Sequence, residues 1–479
     1  MIGVMTLAGI SQRLEGVVMN GDAEFSSVSI DSRRLQAGEL FVAIKGPNFD
    51  GHAFIETASA GGAVAAMVEQ SVSNSLPQLV VEDSRHALGL LGALNRENFT
   101  GAMLAITGSA GKTTVKEMSA AILSQMGNTL ATQGNLNNEL GAPLTLLRLT
   151  QEHQYAVLEL GASAVGDIAY TAALVKPDVA IITNAAEAHI EGFGSLDNVV
   201  QGKGEILDAL PGHGVAVING DDLNAYKWIA RAGERRQQIF SLNKKADADY
   251  YARDCQLQEN GGYAFELVSP QGAIEITLKQ LGRHNIANAL AAAAATSEMG
   301  ARLADIKAGL ESVAAVAGRL ISTQLVNGAC IIDDTYNANP DSLRAAIDVL
   351  SNYQGHKILV LGDMAELGDS ALQDHQEAAR YALSQGVNEL MTVGSLSAHA
   401  AREYGSQGQA FEDQMADVVI FNKELTATEA LEVFGGTAGV AGSGRVKDMN
   451  KFSDPNSIIS WWQMGDGDTS ATDGIIDSI

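Results

Sequence analysis

The sequence predicts an α/β protein of roughly three domains, with a doubly wound parallel sheet at its centre. Three observations carry that expectation. The 479 residues exceed what one hydrophobic core comfortably serves. Short apolar runs alternate with segments of helical periodicity along most of the chain. A glycine-rich turn stands where one apolar run, Met103 to Thr107, gives way to a helical pattern in which Val115, Met118, Ile122 and Met126 recur.

That turn reads Gly108-Ser109-Ala110-Gly111-Lys112-Thr113-Thr114. Between a strand and a helix, such a loop lets successive backbone N–H groups wrap a polyphosphate, while Lys112 adds a point charge and Thr113 a hydroxyl for Mg²⁺. Only two residues separate its glycines, fewer than in the common phosphate loop.

Composition narrows the partners. With 31 Lys+Arg against 57 Asp+Glu the net charge is −26, which argues against nucleic acid or an anionic membrane as a general partner, so a phosphate site has to be local. The hydrophobic fraction of 46% fits a globular chain and argues against disorder over most of its length. Cys255 and Cys330 lie far apart without metal-ligand spacing, which fits a reducing compartment. The first residues carry no basic leader and the Ala-rich run at Ile286 to Thr296 is too short for a bilayer, so a cytoplasmic protein is expected. No sustained heptad or obvious pairing strand is present, and a monomer is expected.

Residues 1–82 read as short strands and turns, with alternation around Leu40 to Ile44. Asp31, Ser32 and Arg33, beside Asn48 to His52, could form a polar ligand-binding rim or a solvated turn. Helical periodicity at His86 to Asn95 leads into the phosphate loop. After the loop's helix, Asn135, Asn137 and Asn138 crowd a segment suited to recognising a polar ligand. Tyr155 to Gly161 and Asp178 to Asn184 read as further buried strands. Ligands of such sheets sit beyond the carboxyl ends of the strands, so Glu159 and the loop carrying His189 could face the phosphate loop and hold magnesium. Taken singly, Glu159 also reads as a salt-bridged strand end and His189 as a surface residue. Lys203 is placed at the start of an amphipathic helix, where most lysines are solvated. A β-rich section follows from Tyr250 to Leu278. Asn285 and Asn288, one helical turn apart, could read a base edge or cap a helix. From about residue 315 a smaller doubly wound domain is expected, with strands at Ala329 to Asp334, Lys357 to Gly362 and Leu390 to Gly394 and ligand-facing loops after the first two.

Several separated motifs carry a resemblance. TGSAGKTTVKEM, GNLNNELGAPLTLL, AHIEGFGS, GRHNIANALAAAA, DDTYNAN and GDMAELG occur in the order found in the Mur ligases of peptidoglycan synthesis, and the resemblance spans residues 1 to about 413. It implies a UDP-sugar-binding domain over 1–82, a central ATPase domain over 83–314 and a Rossmann-like domain over 315–413 that closes on the nucleotide. The implied activity is an ATP-dependent amide ligation that joins D-alanyl-D-alanine to UDP-N-acetylmuramoyl-tripeptide through an acyl phosphate. Folylpolyglutamate-type ligases and the sister Mur ligases share the loop but not the Asn-rich segment so closely.

By the same resemblance, Lys112 contacts the β- and γ-phosphates, Thr113 and Glu159 hold one Mg²⁺, and His189 matches a second metal position. Lys203 matches a lysine that is carbamylated in sister ligases. His284 and Asn288 match adenine-side positions. Arg319, Asp334, Tyr336 and Asn337 belong to the segments that the C-terminal domain brings to the nucleotide, and Arg319 follows Ala317-Gly318, where the family usually has a proline before the glycine. Ser32 and Arg33 correspond to the UDP side, and Asn135, Asn137 and Asn138 lie near the sugar-peptide. The tail at 414–479 departs from this pattern: ADVVIFNKELTATEALEVFGGTAG and SIISWWQMGDGDTSATDGIIDSI resemble pieces of laminin-G-like lectin modules. An incomplete C-terminal domain is therefore expected, followed by a lectin-like fragment or a poorly ordered tail.

Overall fold

In the computed structural model the chain divides into two compact units, Met1–Ala315 and Val316–Ile479. The structure describes residues 1–46, 49–186, 190–243, 247–314, 316–325 and 329–411, and the backbone of the strands Asp417–Phe421 and Ile458–Gln463.

The first unit opens with a five-stranded sheet in the order Val17–Met19, Gln78–Val80, Ala65–Val68, Glu39–Val42, Ser27–Ser29, parallel except at its first pair. One face buries Leu7, Phe25, Leu40, Val42, Met67 and Leu79. Asp83 accepts the Arg85 and His86 N–H groups and so starts the helix Ser84–Glu97, where the sequence already showed helical spacing. The buried side chain of Asn95 fastens this helix at both ends of its amide. Its Nδ2 donates to the carbonyls of Leu146 and Leu149, and its Oδ1 accepts the Ile2 N–H.

A nine-stranded sheet follows. Its order is Gly272–Thr277, Tyr263–Ser269, Tyr250–Leu257, Arg236–Ser241, Val215–Asn219, Val179–Ile182, Ala102–Thr107, Tyr155–Glu159, Thr129–Ala131. All pairs are parallel except the two made by the last hairpin strands in sequence, Tyr263–Ser269 and Gly272–Thr277. The central strands are buried on both faces, which is why they read as unbroken apolar runs. The alanines at 289 to 295 are all buried in the helix His284–Glu298, and their small side chains let it lie close on the sheet and on the helix Lys112–Ser124. The strand Ala102–Thr107 lies between Tyr155–Glu159 and Val179–Ile182, so the loop after it is flanked by the ends of both.

The second unit holds a three-stranded parallel sheet, Ile358–Gly362, Glu389–Val393 and Gly408–Phe411. The helices Pro340–Ser351, Ala371–Ser384 and Ser397–Tyr404 pack around Leu343, Ile347, Leu361, Ala378, Leu390 and Tyr404. One expectation is corrected here. Cys330–Asp333 is not a strand of the parallel sheet but pairs antiparallel with Ile321–Gln324, a strand that periodicity did not reveal. Neighbouring segments pair at small loop-closure cost, and the bond from Leu325 N–H to Ala329 O at 2.8 Å closes the pair. In the tail, Asp417–Phe421 pairs antiparallel with Ile458–Gln463, with Val419 opposite Trp461 in register. The rest of 412–479 lies outside the described residues. Among the described residues no helix is long and apolar enough to cross a membrane.

Candidate nucleotide and metal site

The strand Ala102–Thr107 ends at Gly108, and the helix Lys112–Ser124 begins after Gly111. Gly111 has φ +83° and as N-cap offers no side chain to the helix, so its first-turn N–H groups are the donors an anion would meet. A Cβ on Gly108 would stand 1.8 Å from Thr183 Oγ1, and one on Gly111 2.6 Å from Asn288 Oδ1. The loop is therefore gripped from both sides. Lys112 Nζ donates to the Gly108 carbonyl at 2.8 Å, which keeps its charge over the loop, and Thr113 is buried.

Glu159 closes the neighbouring strand, in register with Ile106 just before the loop. It is 3% exposed, and so low an exposure makes its partners decisive. Its N–H donates to Thr132 Oγ1 at 3.0 Å and its Oε1 accepts from Asn137 Nδ2 at 3.0 Å. Its Oε2 is buried with no hydrogen-bond partner among the described residues. A buried carboxylate oxygen left in that state suits a hard cation, so Glu159 fits Mg²⁺. The Asn-rich segment is a loop fastened at several points. Asn137 holds Glu159, Asn138 Oδ1 accepts the Gly141 N–H at the start of the helix Gly141–Leu147, and Glu139 pairs with Arg85 at 3.0 Å. Asn135 turns the loop, its carbonyl accepting the Asn137 N–H at 2.7 Å.

Lys203 requires a correction. It sits in the last turn of the helix Leu196–Gly204, not at a helix start, because Ser195 accepts the Asn198 N–H and caps the helix upstream. It is 2% exposed, so solvation is not its role. Burial pushes its amine well below the ordinary lysine range and the nearby Lys112 cation adds to this. Its Nζ stands 5.7 Å from the Phe193 ring centroid. An amine shifted in this way is more readily present in the unprotonated form that reacts with CO₂. His189 lies outside the described residues.

On the helix His284–Glu298, His284 opens the first turn and Asn288 stands one turn on, beside Gly111. The paired amides do not cap the helix: Asn285 Nδ2 donates to Leu281 O at 2.7 Å, and Asn288 Nδ2 to Asn285 Oδ1 at 2.8 Å. Ser32 and Arg33 belong to the N-terminal sheet, in the loop after Ser27–Ser29. There the Arg33 guanidinium makes two bonds to Asp31, beside one from the Arg33 N–H, and holds that carboxyl below the usual range. His52, placed on the same rim by sequence, is a buried structural residue whose ring bridges Asp50 and the Glu69 N–H.

In the second unit, the Arg319 guanidinium lies 4.3 Å from the Tyr336 ring centroid, and the Tyr336 N–H donates to Gly318 O at 3.1 Å. Burial pushes the Asp334 carboxyl up to about 6 against the pull of the Leu320 N–H and the Arg319 cation. Arg319, Asp334 and Tyr336 thus form one cluster, and Asn337 is exposed next to it. Asn339 of the same motif caps the helix Pro340–Ser351. Sequence reasoning did not single out Asn184, Thr132 or Arg85. The only signal for Asn184 was its place at the end of a buried strand next to the loop's own.

Family models match the chain in three consecutive parts: the Mur ligase family catalytic domain over residues 24–96, the Mur ligase middle domain over 106–296, and the Mur ligase glutamate ligase domain over 318–444. The last match runs beyond Asp413, and the lectin-like reading of 414–479 draws no support from it. The chain is 45% identical over 412 residues, 86% of its length and 90% of the relative's, to the UDP-N-acetylmuramoyl-tripeptide--D-alanyl-D-alanine ligase of Escherichia coli. It is 32% identical to the Bacillus subtilis ligase of that name, over 93% of this chain and 98% of the other. A crystal structure of MurF from Acinetobacter baumannii superposes with a TM-score of 0.81 at 38% identity, covering 86% of this chain and 90% of that one. MurF ligase from Thermotoga maritima in complex with ADP gives 0.70 at 27%, covering 80% and 92%. With relatives this similar over most of both lengths, and with a phosphate loop beside a cation-ready carboxylate, the chain belongs to the Mur ligase family.

Proposed function

We propose that the chain joins D-alanyl-D-alanine to UDP-N-acetylmuramoyl-tripeptide at the expense of ATP, as a cytoplasmic monomer in peptidoglycan precursor synthesis. The observation that carries this reading is the bond from Asn137 to Glu159. It ties the Asn-rich loop, expected at the sugar-peptide, to the carboxylate beside the phosphate loop. The relatives that match most of this chain bear the name of that ligase. Residues 1–82 would hold the UDP-sugar through Ser32 and Arg33, 83–314 the ATP, and 315–413 would form the Rossmann-like ligase domain.

A carboxylate is a poor electrophile, so the terminal carboxylate of the tripeptide first takes the γ-phosphoryl group of ATP, releasing ADP. The dipeptide amine then attacks the acyl phosphate, loses its proton, and phosphate leaves as the amide forms. This chemistry needs positioning and charge neutralisation more than covalent help. Lys112 and the first-turn N–H groups of its helix meet the phosphates. Thr113 and Glu159 would hold Mg²⁺, with His189 and a carbamate on Lys203 as further ligands. Bound there, Mg²⁺ neutralises charge on the phosphate oxygens. The cluster of Arg319, Asp334, Tyr336 and Asn337 is the candidate nucleotide face of the second unit, as His284 and Asn288 are of the first.

The test is incubation with ATP, Mg²⁺, UDP-N-acetylmuramoyl-tripeptide and D-alanyl-D-alanine, following phosphate and pentapeptide together. One phosphate per pentapeptide is expected, with both products absent when any component is left out. ATP binding with neither product, or an amino acid accepted in place of the dipeptide, would sink the reading.

A further inference from the structure

We infer that Asn184 is a positioning residue of the phosphate loop, doing from a neighbouring strand what a longer loop does with its own backbone. The inference rests on the ATP reading above. The loop has only Ser109 and Ala110 between its glycines, too few to bond one another into a fixed curve. The bonds come from the end of Val179–Ile182. The Ser109 N–H donates to Asn184 O at 3.1 Å and the Ala110 N–H to Asn184 Oδ1 at 2.9 Å. Asn184 Nδ2 donates back to Ala110 O at 3.2 Å, and Thr183 Oγ1 to the same carbonyl at 2.6 Å. Ser109 Oγ accepts the Ala186 N–H at 3.0 Å. The strap is itself anchored, since Asn219 Nδ2 donates to Thr183 O and the Ala185 N–H to Asp222 Oδ2, both at 2.8 Å.

Two consequences follow from peptide geometry. The N–H groups of Ser109 and Ala110 are engaged by Asn184, so phosphate recognition by the backbone starts at Gly111. The Ala110 carbonyl is drawn towards Thr183 and Asn184 by two donors. In a trans peptide the N–H points opposite the C=O, so the Gly111 N–H is turned away from the strap. Asn184, together with Thr183, thus fixes the plane of the peptide that presents the first phosphate donor, and Asn184 alone also holds the Ala110 N–H. Only a group with an acceptor and a donor on one planar end satisfies both bonds to Ala110, and asparagine is the shortest residue that has one.

The test compares full-length wild type, Asn184→Ala and Asn184→Asp by calorimetric titration with ATP and by ligand-observed NMR with AMP, whose single phosphate does not reach the β/γ positions. Asn184→Ala should weaken ATP by about tenfold, the effect of taking a partner from half-buried polar groups of the loop. AMP affinity should stay within twofold. Asn184→Asp keeps the acceptor for the Ala110 N–H but sets a carboxylate against the Ala110 carbonyl, so ATP should weaken at least as much. Equal losses for ATP and AMP would mean a merely structural role and overturn the inference, as would ATP affinity within twofold of wild type in both variants. A wild-type protein that binds no ATP would instead remove the nucleotide reading itself. If Asn184→Ala does not fold, the ATP-to-AMP ratio in Asn184→Asp decides alone.

Discussion

Asn137 Nδ2 donates to Glu159 Oε1 at 3.0 Å, while the other carboxylate oxygen of Glu159 is buried without a hydrogen-bond partner among the described residues. An unpaired buried carboxylate oxygen is costly, and a fold keeps one where a ligand completes it. The amide fixes the rotation of the carboxylate, so that its second oxygen is presented in one direction. Supporting residues of this kind generally matter to metal affinity nearly as much as the ligands do.

Removing the amide should therefore weaken the metal and leave the fold intact. Asn137→Ala is expected to raise the Mg²⁺ concentration for half-maximal ADP formation roughly tenfold or more. Glu159→Gln should abolish the Mg²⁺ dependence along with most activity. An unchanged Mg²⁺ titration in Asn137→Ala would disprove the orienting role.

Lys112→Ala is expected to lower ATP-dependent phosphate release by roughly 10²-fold, the effect of losing one preorganised transition-state donor. Near-normal turnover would overturn the assignment of the loop. Gly108→Ala should do at least as much damage without touching a charge, because its Cβ would collide with Thr183 Oγ1. ATP titration of both variants checks this.

The buried, depressed amine of Lys203 predicts a bicarbonate-dependent enzyme. Carbamate formation joins the nitrogen of the neutral amine to CO₂ and releases one proton, so a side chain whose cation burial disfavours becomes an anion. Exhaustive removal of CO₂ should lower activity, and ¹³C-bicarbonate should restore it with a new carbonyl resonance that is absent in Lys203→Met. Full activity in CO₂-free buffer would refute the modification.

Asp334 gives a pH signature of stability. Its folded carboxyl is raised from 3.8 to about 6, so the folded protein binds the proton more tightly than the unfolded chain does. Stability from this group is present below 3.8 and is lost as pH rises through about 6. Asp334→Asn should therefore melt at a higher temperature than wild type at pH 7.5, with the gap narrowing at pH 5. Calorimetry at the two values decides, and a gap that does not change between them would contradict the burial argument.

Much of this site was legible in the sequence because its signals are local. A strand, a glycine turn and a helix are contiguous, so the phosphate loop was visible, and the alanine run showed as a helix without the length to span a membrane. The sequence pointed to Lys203 by resemblance but misplaced it, since whether a lysine is buried depends on what other elements lie over it. The hairpin at Ile321–Gln324 was missed because a strand of this exposure has no apolar period.

By itself the sequence determined the local chemistry of this protein: which residues could meet a phosphate, which turns need glycine, and which of the buried segments are strands or helices. Only the tertiary structure decided that Asn137 holds Glu159 across 22 residues, and that Asn184 braces Ala110 across 74. The physical reason is the order of the sheet. Ala102–Thr107 lies between strands that come later in the chain, and the hydrogen bonds that shape its loop come from their ends. Strand order is set by the packing of whole faces and leaves no period in any one segment.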